Sequence, residues 1–371
     1  MAVDFTDHTD HQREALPNAT SILLVIYLEK DVAGQRLSRE EREAIATRRI
    51  VANLEALTVA NMRTLEMKIA DAGPAHLRVN PHIITAVRNS MIKRGAIIKT
   101  DNFWYHRANA DRAAVADRLA VLVPLHRRTS ERAFTLRMGQ TLEISILKSL
   151  PQSGMNFVGG FTDLHLHDDS SNYKKEEPPL SFSGRTMPGD MRFDFLAFHP
   201  SAGPIGIEAK NIREWVYPNR SEVKELLHKA VYADTLPVLV ARRIPYVTFM
   251  LLNTCGVMVF ENLNQQYPFS DADLAEAVRK KEDLGYHDVR AGNEPNPRLL
   301  HFLATVVPAR AEEYRARFER YRDLLGSFAD GDMGYPTFAA MVRRRAAGEP
   351  EEADWVHDDI GSEAHPDDYE P

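Results

Sequence analysis

Ile205-Gly206-Ile207-Glu208-Ala209-Lys210 decides how this 371-residue chain is read. The run is apolar, yet it carries Glu208 and Lys210 two positions apart at its end. Strand side chains alternate between faces, so Glu208 and Lys210 project one way while Ile207 and Ala209 face the opposite layer. Charges on a buried strand are unfavourable unless they bind something. Fourteen positions before Glu208, Asp194 stands inside a second strand-like run, Met191-Arg192-Phe193-Asp194-Phe195-Leu196-Ala197-Phe198.

The flanking sequence supplies layers for such strands. From Thr129 to Leu150 a helical pattern carries Phe134, Leu136, Met138, Leu142, Ile146, Leu147 and Leu150. Strand-like Asn156-Phe157-Val158 follows, then a polar stretch from Asp168 to Gly189 that reads as a long loop. Beyond Lys210 a helix is predicted from Ser221 to about Asp234. Strands are predicted at Val238-Leu239-Val240, Tyr246 to Leu251 and Val257 to Phe260. This order describes an α/β sandwich with a mixed sheet flanked by helices. Residues 271–348 read as a mostly helical extension, and 349–371 as an acidic tail too poor in apolar residues to fold.

A smaller, mostly helical unit precedes the sandwich. Ser38 and Glu41 form a capping box for a helix reaching Leu57. Thr58 is placed to cap a second helix, stopped by Gly73-Pro74. Asn80-Pro81 starts a third, whose Ile83, Ile84, Val87, Met91 and Ile92 line one face until Gly95. Ala96-Ile97-Ile98-Lys99, a turn at Asp101-Asn102, and Phe103-Trp104-Tyr105-His106 then read as a hairpin. Three helices and a hairpin, over about residues 38–108, resemble a winged-helix domain. The resemblance implies that Arg88, Lys93 and Arg94 on the third helix, with Lys99 and Arg107 of the wing, lie near DNA phosphates. The rival reading is a solvated basic face on a protein-docking module. The divisions expected are a tail and short element over 1–35, this unit over 36–110, a connecting helix over 111–129 with Pro124 as punctuation, and the sandwich over 130–270.

From about residue 130 to 262 the chain resembles the PD-(D/E)XK, or restriction-endonuclease-like, nuclease superfamily. The matching pieces are the helix with Glu143, the strand with Asp194, the strand Glu208-Ala209-Lys210, and the helix and strand that follow. The resemblance implies an Mg²⁺-dependent endonuclease acting on DNA, with Mn²⁺ as a substitute ion. Mg²⁺ prefers oxygen ligands and keeps several waters. Asp194, Glu208 and the Ala209 carbonyl would hold it, Lys210 would favour hydroxide and offset charge on the phosphorane-like transition state, and Glu143 would assist. Gly139, four residues before Glu143, would let that helix approach the sheet. The residue before Asp194 is Phe rather than the eponymous Pro, and Asp190 is the rival upstream ligand. A restriction, defence or repair role, with a homodimer or partner subunits of a defence system, follows only by that analogy. RNA is a further candidate substrate. The alternative from another class is a non-catalytic DNA- or protein-binding module on a nuclease-like scaffold.

Composition sets bounds on these readings. The formal charge of −7 conceals ten Asp or Glu and no Lys or Arg between Glu349 and Pro371. Between Arg36 and Ala108 there are thirteen Lys or Arg against seven Asp or Glu, a net of +6 compatible with nucleic acid. Ile22 to Leu28, a strand or helical turn, is far short of the roughly 20 apolar residues that span a membrane. The acidic Asp4, Asp7, Asp10 and Glu14 before it do not suit a secretory signal, so a cytoplasmic protein is expected. The single cysteine, Cys255, fits a packed residue in a reducing compartment. Pairs such as His165 and His167 with Asp168 and Asp169, or His8 and His11 with Asp10, are weak metal signals. Lys224 and His228, and Arg242 with Arg243, read as solvated charges within reach of a nucleic-acid backbone.

Overall fold

Ser38 starts the first helix with a reciprocal cap. Its hydroxyl accepts the Glu41 N–H at 3.2 Å, and the Glu41 carboxylate accepts the Ser38 N–H at 2.7 Å. Two donors that a helix start leaves open are thereby satisfied. Helix α1 (Arg39–Leu57) buries Ala46, Ile50, Leu54 and Leu57, one residue every three or four. Thr58 does not cap the next helix. Val59–Asn61 instead forms strand β1, all three residues buried, and Asn61 caps α2 (Met62–Ile69) by accepting the Thr64 N–H at 2.8 Å. Helix α3 (Pro81–Lys93) ends before Gly95, whose φ of +68° suits glycine. Strands β2 (Ile97–Thr100) and β3 (Trp104–Arg107) pair as a hairpin, and β1 joins the other edge of β3.

These elements belong to a computed structural model that describes residues 37–70, 79–100, 103–159, 178–182, 184–189 and 191–350. The element at Ile22 to Leu28, the His8/Asp10/His11 and His165/His167/Asp168/Asp169 groups, Asp190, the Gly73-Pro74 stop, the Asp101-Asn102 turn and nearly all of the acidic tail lie outside the described residues. Among the described residues no helix is long and apolar enough to cross a membrane.

Helix α4 (Arg112–Ser130) continues through Pro124 rather than stopping there. A proline inside a helix forfeits one backbone hydrogen bond. Leu122 and Thr129 are buried on either side of it, so packing holds the helix together. Helix α5 (Arg132–Gln152) then crosses a five-stranded mixed sheet. Its strands are β4 (Asn156–Phe157), β7 (Phe195–His199), β8 (Gly203–Lys210), β9 (Leu236–Ala241) and β10 (Met258–Glu261), in the order β10-β9-β8-β7-β4. Strands β4, β7 and β8 run antiparallel in turn, whereas β9 and β10 are parallel to β8. A small hairpin, β5 (Ser181–Phe182) with β6 (Arg185–Thr186), lies in the chain between β4 and β7.

Alternation along β7 and β8 sorts their side chains into two layers. Phe195, Ala197, Ile205 and Ile207 pack with Leu142, Ile146 and Leu150 of α5. Leu196, with the neighbouring Phe193, packs with Val223, Leu226, Leu227 and Ala230 of α6 (Ser221–Ala233). The predicted strand at Tyr246 is helix α7 (Tyr246–Thr254): Thr248, Leu251 and Leu252 are buried while Tyr246, Val247 and Met250 are exposed, a helical and not an alternating pattern. Cys255 is buried just beyond it, and burial pushes its thiol far up, so it is an inert packed residue.

The mostly helical segment after 270 packs onto both layers of the sheet. Strand β11 (Gln265–Tyr267) pairs in parallel with β12 (Val289–Ala291), and α8 (Ala272–Arg279) lies between them in the chain. Helix α9 (Pro297–His301), a π turn (Phe302–Val306), α10 (Val307–Asp330) and α11 (Tyr335–Ala347) follow. Leu299, Phe302, Leu303 and Val307 complete the α5 layer, whereas Phe318, Leu325, Phe328 and Phe338 complete the α6 layer.

Candidate active site at the end of the central strand

The segment that carries Glu208 and Lys210 runs directly into the contact between the N-terminal unit and the sheet. Arg213 donates to Met67 Sδ at 2.7 Å, Glu214 pairs with Arg63, and Trp215 packs against the core of the N-terminal unit. The Tyr217 and His82 rings meet edge-on, 6.4 Å apart. A cleft of about 290 Å³ lies at this junction, lined by Arg63, Thr135, Met138, Gly139, Lys210 and Tyr267 among others. The end of β8 is therefore an inner wall of the molecule that remains open on one side.

Asp194 does not stand inside a strand. It sits one residue ahead of β7, where the ladder to β8 opens, and its Oδ2 accepts the Ala209 N–H at 2.7 Å in place of a backbone partner. Glu208, 2 % exposed, faces the α6 layer as alternation predicts. Lys210 Nζ donates to Glu208 Oε1 at 2.7 Å and lies 3.7 Å from Asp194 Oδ2. Asp194, Glu208 and Lys210 thus converge.

A second ammonium completes the cluster. Lys229, on α6, donates to Glu208 Oε2 at 2.6 Å and to the Arg192 carbonyl at 2.9 Å. Two carboxylates are thereby matched by two lysines, which is what makes burial of Glu208 tolerable. Sequence reasoning singled out Lys224 and His228 on this helix and passed over Lys229. The available signal was periodicity: Lys229 interrupts the apolar stripe Val223, Leu226, Ala230, Ala233. Lys224 instead lies over the Phe328 ring at 5.0 Å, and His228 meets Asp330 at 2.8 Å and stacks on Tyr232. Both face neighbouring protein.

The ionisation of the cluster follows from these contacts. Burial pushes the Glu208 carboxyl up from its ordinary range and Asp194 pushes the same way, while Lys210 and Lys229 pull it down. For Lys210, burial would lower the value, but Glu208 and Asp194 outweigh it and hold the ammonium above its ordinary pKa. Glu222, in the first turn of α6, adds to that effect and is itself paired with Arg220. In this arrangement Lys210 is held as an ammonium.

Other expected participants stand elsewhere. Helix α5 packs on the face of Ile207 and Ala209, so Glu143, half-buried on α5, belongs to the opposite layer from Glu208. A Cβ at Gly139 would meet nothing within 4 Å, so this glycine does not serve a close helix–sheet approach; it leaves space in the cleft. Arg242 is buried with Asp288, and Arg243 lies 3.7 Å from Glu261, so neither is a free surface charge.

The basic residues of the N-terminal unit divide into two sets. Lys93 and Arg94 at the end of α3, and Lys99 on β2, are exposed. Arg88 lies over the Tyr105 ring at 5.1 Å and bonds Asn89, while Arg107 is committed to Glu55 at 2.7 Å.

Among the described residues no group of three or more His, Cys, Asp or Glu gathers as a metal cage. The donor set still suits Mg²⁺, which is commonly held by one or two carboxylates together with water and substrate phosphate. The Lys210 ammonium reaching both Asp194 and Glu208 also marks that gap as a place for positive charge. No protein-family model, curated protein or solved structure matches this chain.

Proposed function

We propose that the chain is an Mg²⁺-dependent endonuclease that hydrolyses phosphodiester bonds in DNA. The observation that carries this reading is the meeting of Asp194, Glu208 and Lys210 where β7 and β8 part, with Lys210 of the three also lining an open cleft. The element order around it supports a restriction-endonuclease-like fold: helix α5, three antiparallel strands β4, β7 and β8, helix α6, then β9 parallel to β8. A restriction, defence or repair setting follows from the resemblance alone.

Asp194, Glu208 and the Ala209 carbonyl would hold the metal. When bound, Mg²⁺ supplies charge to the phosphate and lowers the pKa of attached water. Lys210 contributes as a cation, offsetting the negative charge that grows on the phosphate oxygens. Asp194, anchored by the Ala209 N–H, is held against the strand that bears its partner carboxylate. The exposed Lys93, Arg94 and Lys99 would meet the DNA backbone in the manner of a winged helix.

A second reading draws on a specific observation: both oxygens of Glu208 are already occupied by lysines. Such a closed ion-pair cluster also suits a non-catalytic DNA- or protein-binding module. Plasmid cleavage with Mg²⁺ separates the two. On the nuclease reading, Asp194→Asn and Lys210→Ala each lower the rate at least about 10²-fold while DNA affinity is kept. No cleavage of linear, supercoiled or single-stranded DNA, nor of RNA, by the wild type would leave the binding module.

A further inference from the structure

Resting on the hydrolytic reading, the geometry around Glu208 goes one step further: we infer that Lys229 is a positioning residue that reserves a single oxygen of Glu208 for the divalent cation. Lys229 is 3 % exposed, and its ammonium lies 5.6 Å from the centre of the Phe193 ring. A lysine embedded so deeply is costly, and an apolar residue would fill the same stripe of α6 more favourably. Its two acceptors account for its presence. One is Glu208 Oε2 at 2.6 Å, and the other is the carbonyl of Arg192 at 2.9 Å, two residues before Asp194. A single ammonium therefore ties together the two segments that carry the carboxylates.

The two lysines differ in what they can do. Lys210 holds the other oxygen, Oε1, while also lying near Asp194, and its side chain is 18 % exposed beside the cleft. It has room to yield Oε1 to an incoming cation. The Lys229 side chain is 4 % exposed and doubly bonded, so it keeps Oε2. Glu208 is then a one-oxygen ligand with a fixed direction. Partners that orient a metal ligand in this way typically change metal affinity about 10–100-fold when removed.

The test measures Mn²⁺ binding from the electron-spin-resonance signal of the free ion, in wild type, Lys229→Met, Lys229→Gln and Asp194→Asn. Lys229→Met, similar in length and apolar, is expected to bind Mn²⁺ about 10–100-fold more weakly. Lys229→Gln, which retains a donor, is expected to recover part of the loss. In cleavage assays the Mg²⁺ concentration for half-maximal rate rises in the same order, with a smaller change in rate at saturating Mg²⁺. Unchanged Mn²⁺ affinity in Lys229→Met, with binding still abolished in Asp194→Asn, overturns the inference and leaves the hydrolytic reading standing. Wild-type Mn²⁺ binding indifferent to Asp194→Asn removes both. Should Lys229→Met not fold, an Mn²⁺-soaked crystal of the wild type decides. One Glu208 oxygen on the metal with Lys229 still on Oε2 supports the inference, and both oxygens on the metal overturn it.

Discussion

Gly206 shows how single residues set the site. It faces the same layer as Glu208, and a Cβ there would lie 2.4 Å from Phe193 Cε1 and 2.8 Å from Thr235 Oγ1. The Phe193 ring fills that space, and Phe193 is the residue immediately before Asp194. Gly206→Ala must displace the ring, since cores are packed too tightly to absorb an extra methyl. An overpacking cost of about 1–3 kcal/mol is expected, read as a lower urea midpoint with an unchanged slope. A midpoint equal to wild type would mean that the ring has room to move and does not fix Asp194. At this scale the triad was legible because strand alternation alone aligns Glu208 with Lys210. Lys229 was not, because a lysine in a helix is ordinarily read as solvated, and only its place in the apolar stripe argues otherwise. The layer of Glu143 was not legible for a related reason: periodicity orients a residue on its own helix but does not say which face of the sheet that helix covers.

Among the elements, the segment that follows β8 is held by a buried charge arrangement. Asp288 accepts from Arg213 Nη2 at 2.6 Å and from Arg242 Nη1 at 2.9 Å, all three side chains being nearly inaccessible. This ties β9 and the small β11–β12 sheet to the stretch just beyond Lys210. Burial works against the Asp288 carboxylate, but Arg213 and Arg242 hold its pKa below the ordinary value. A depressed carboxyl contributes stability above its unfolded pKa and loses it as the pH falls through the folded value, so this clamp weakens only in acid. Asp288→Ala leaves two buried guanidinium groups without their acid and is expected to cost about 3–5 kcal/mol at neutral pH. Thermal or urea unfolding measures it; a decrease under about 1 kcal/mol would show the arginines satisfied by other partners. Nothing in the sequence marked Asp288, since three charges 29 and 46 positions apart carry no common spacing. Elements with strong local chemistry were readable, as with the Ser38 cap and the apolar stripe of α6. Those decided by tertiary packing were not: α7 is rich in β-prone residues yet is helical, and α4 passes through a proline.

For the whole molecule, the question is where a duplex would rest before reaching the end of β8. The N-terminal unit is joined to the sheet through Arg63, Met67 and the Trp215 segment, so its exposed basic end keeps a fixed relation to the site. The +6 charge of residues 36–108 does not by itself identify a DNA surface, because Arg63 is already paired with Glu214 outside that stretch. Arg107 is paired with Glu55, whereas Lys93, Arg94 and Lys99 are exposed on adjoining elements. The two sets therefore predict different salt behaviour. Each duplex phosphate that the protein no longer neutralises makes the plot of log affinity against log salt shallower by about 0.9. Lys93→Ala, Arg94→Ala and Lys99→Ala together should reduce the slope by roughly two to three units and weaken binding alike on every sequence. Arg107→Ala should leave the slope unchanged, because its charge is spent on Glu55. Fluorescence anisotropy across a salt series reads both. Equal slopes for the triple variant and the wild type would move the DNA surface off this unit, and with it the idea that α3 and its hairpin select the substrate.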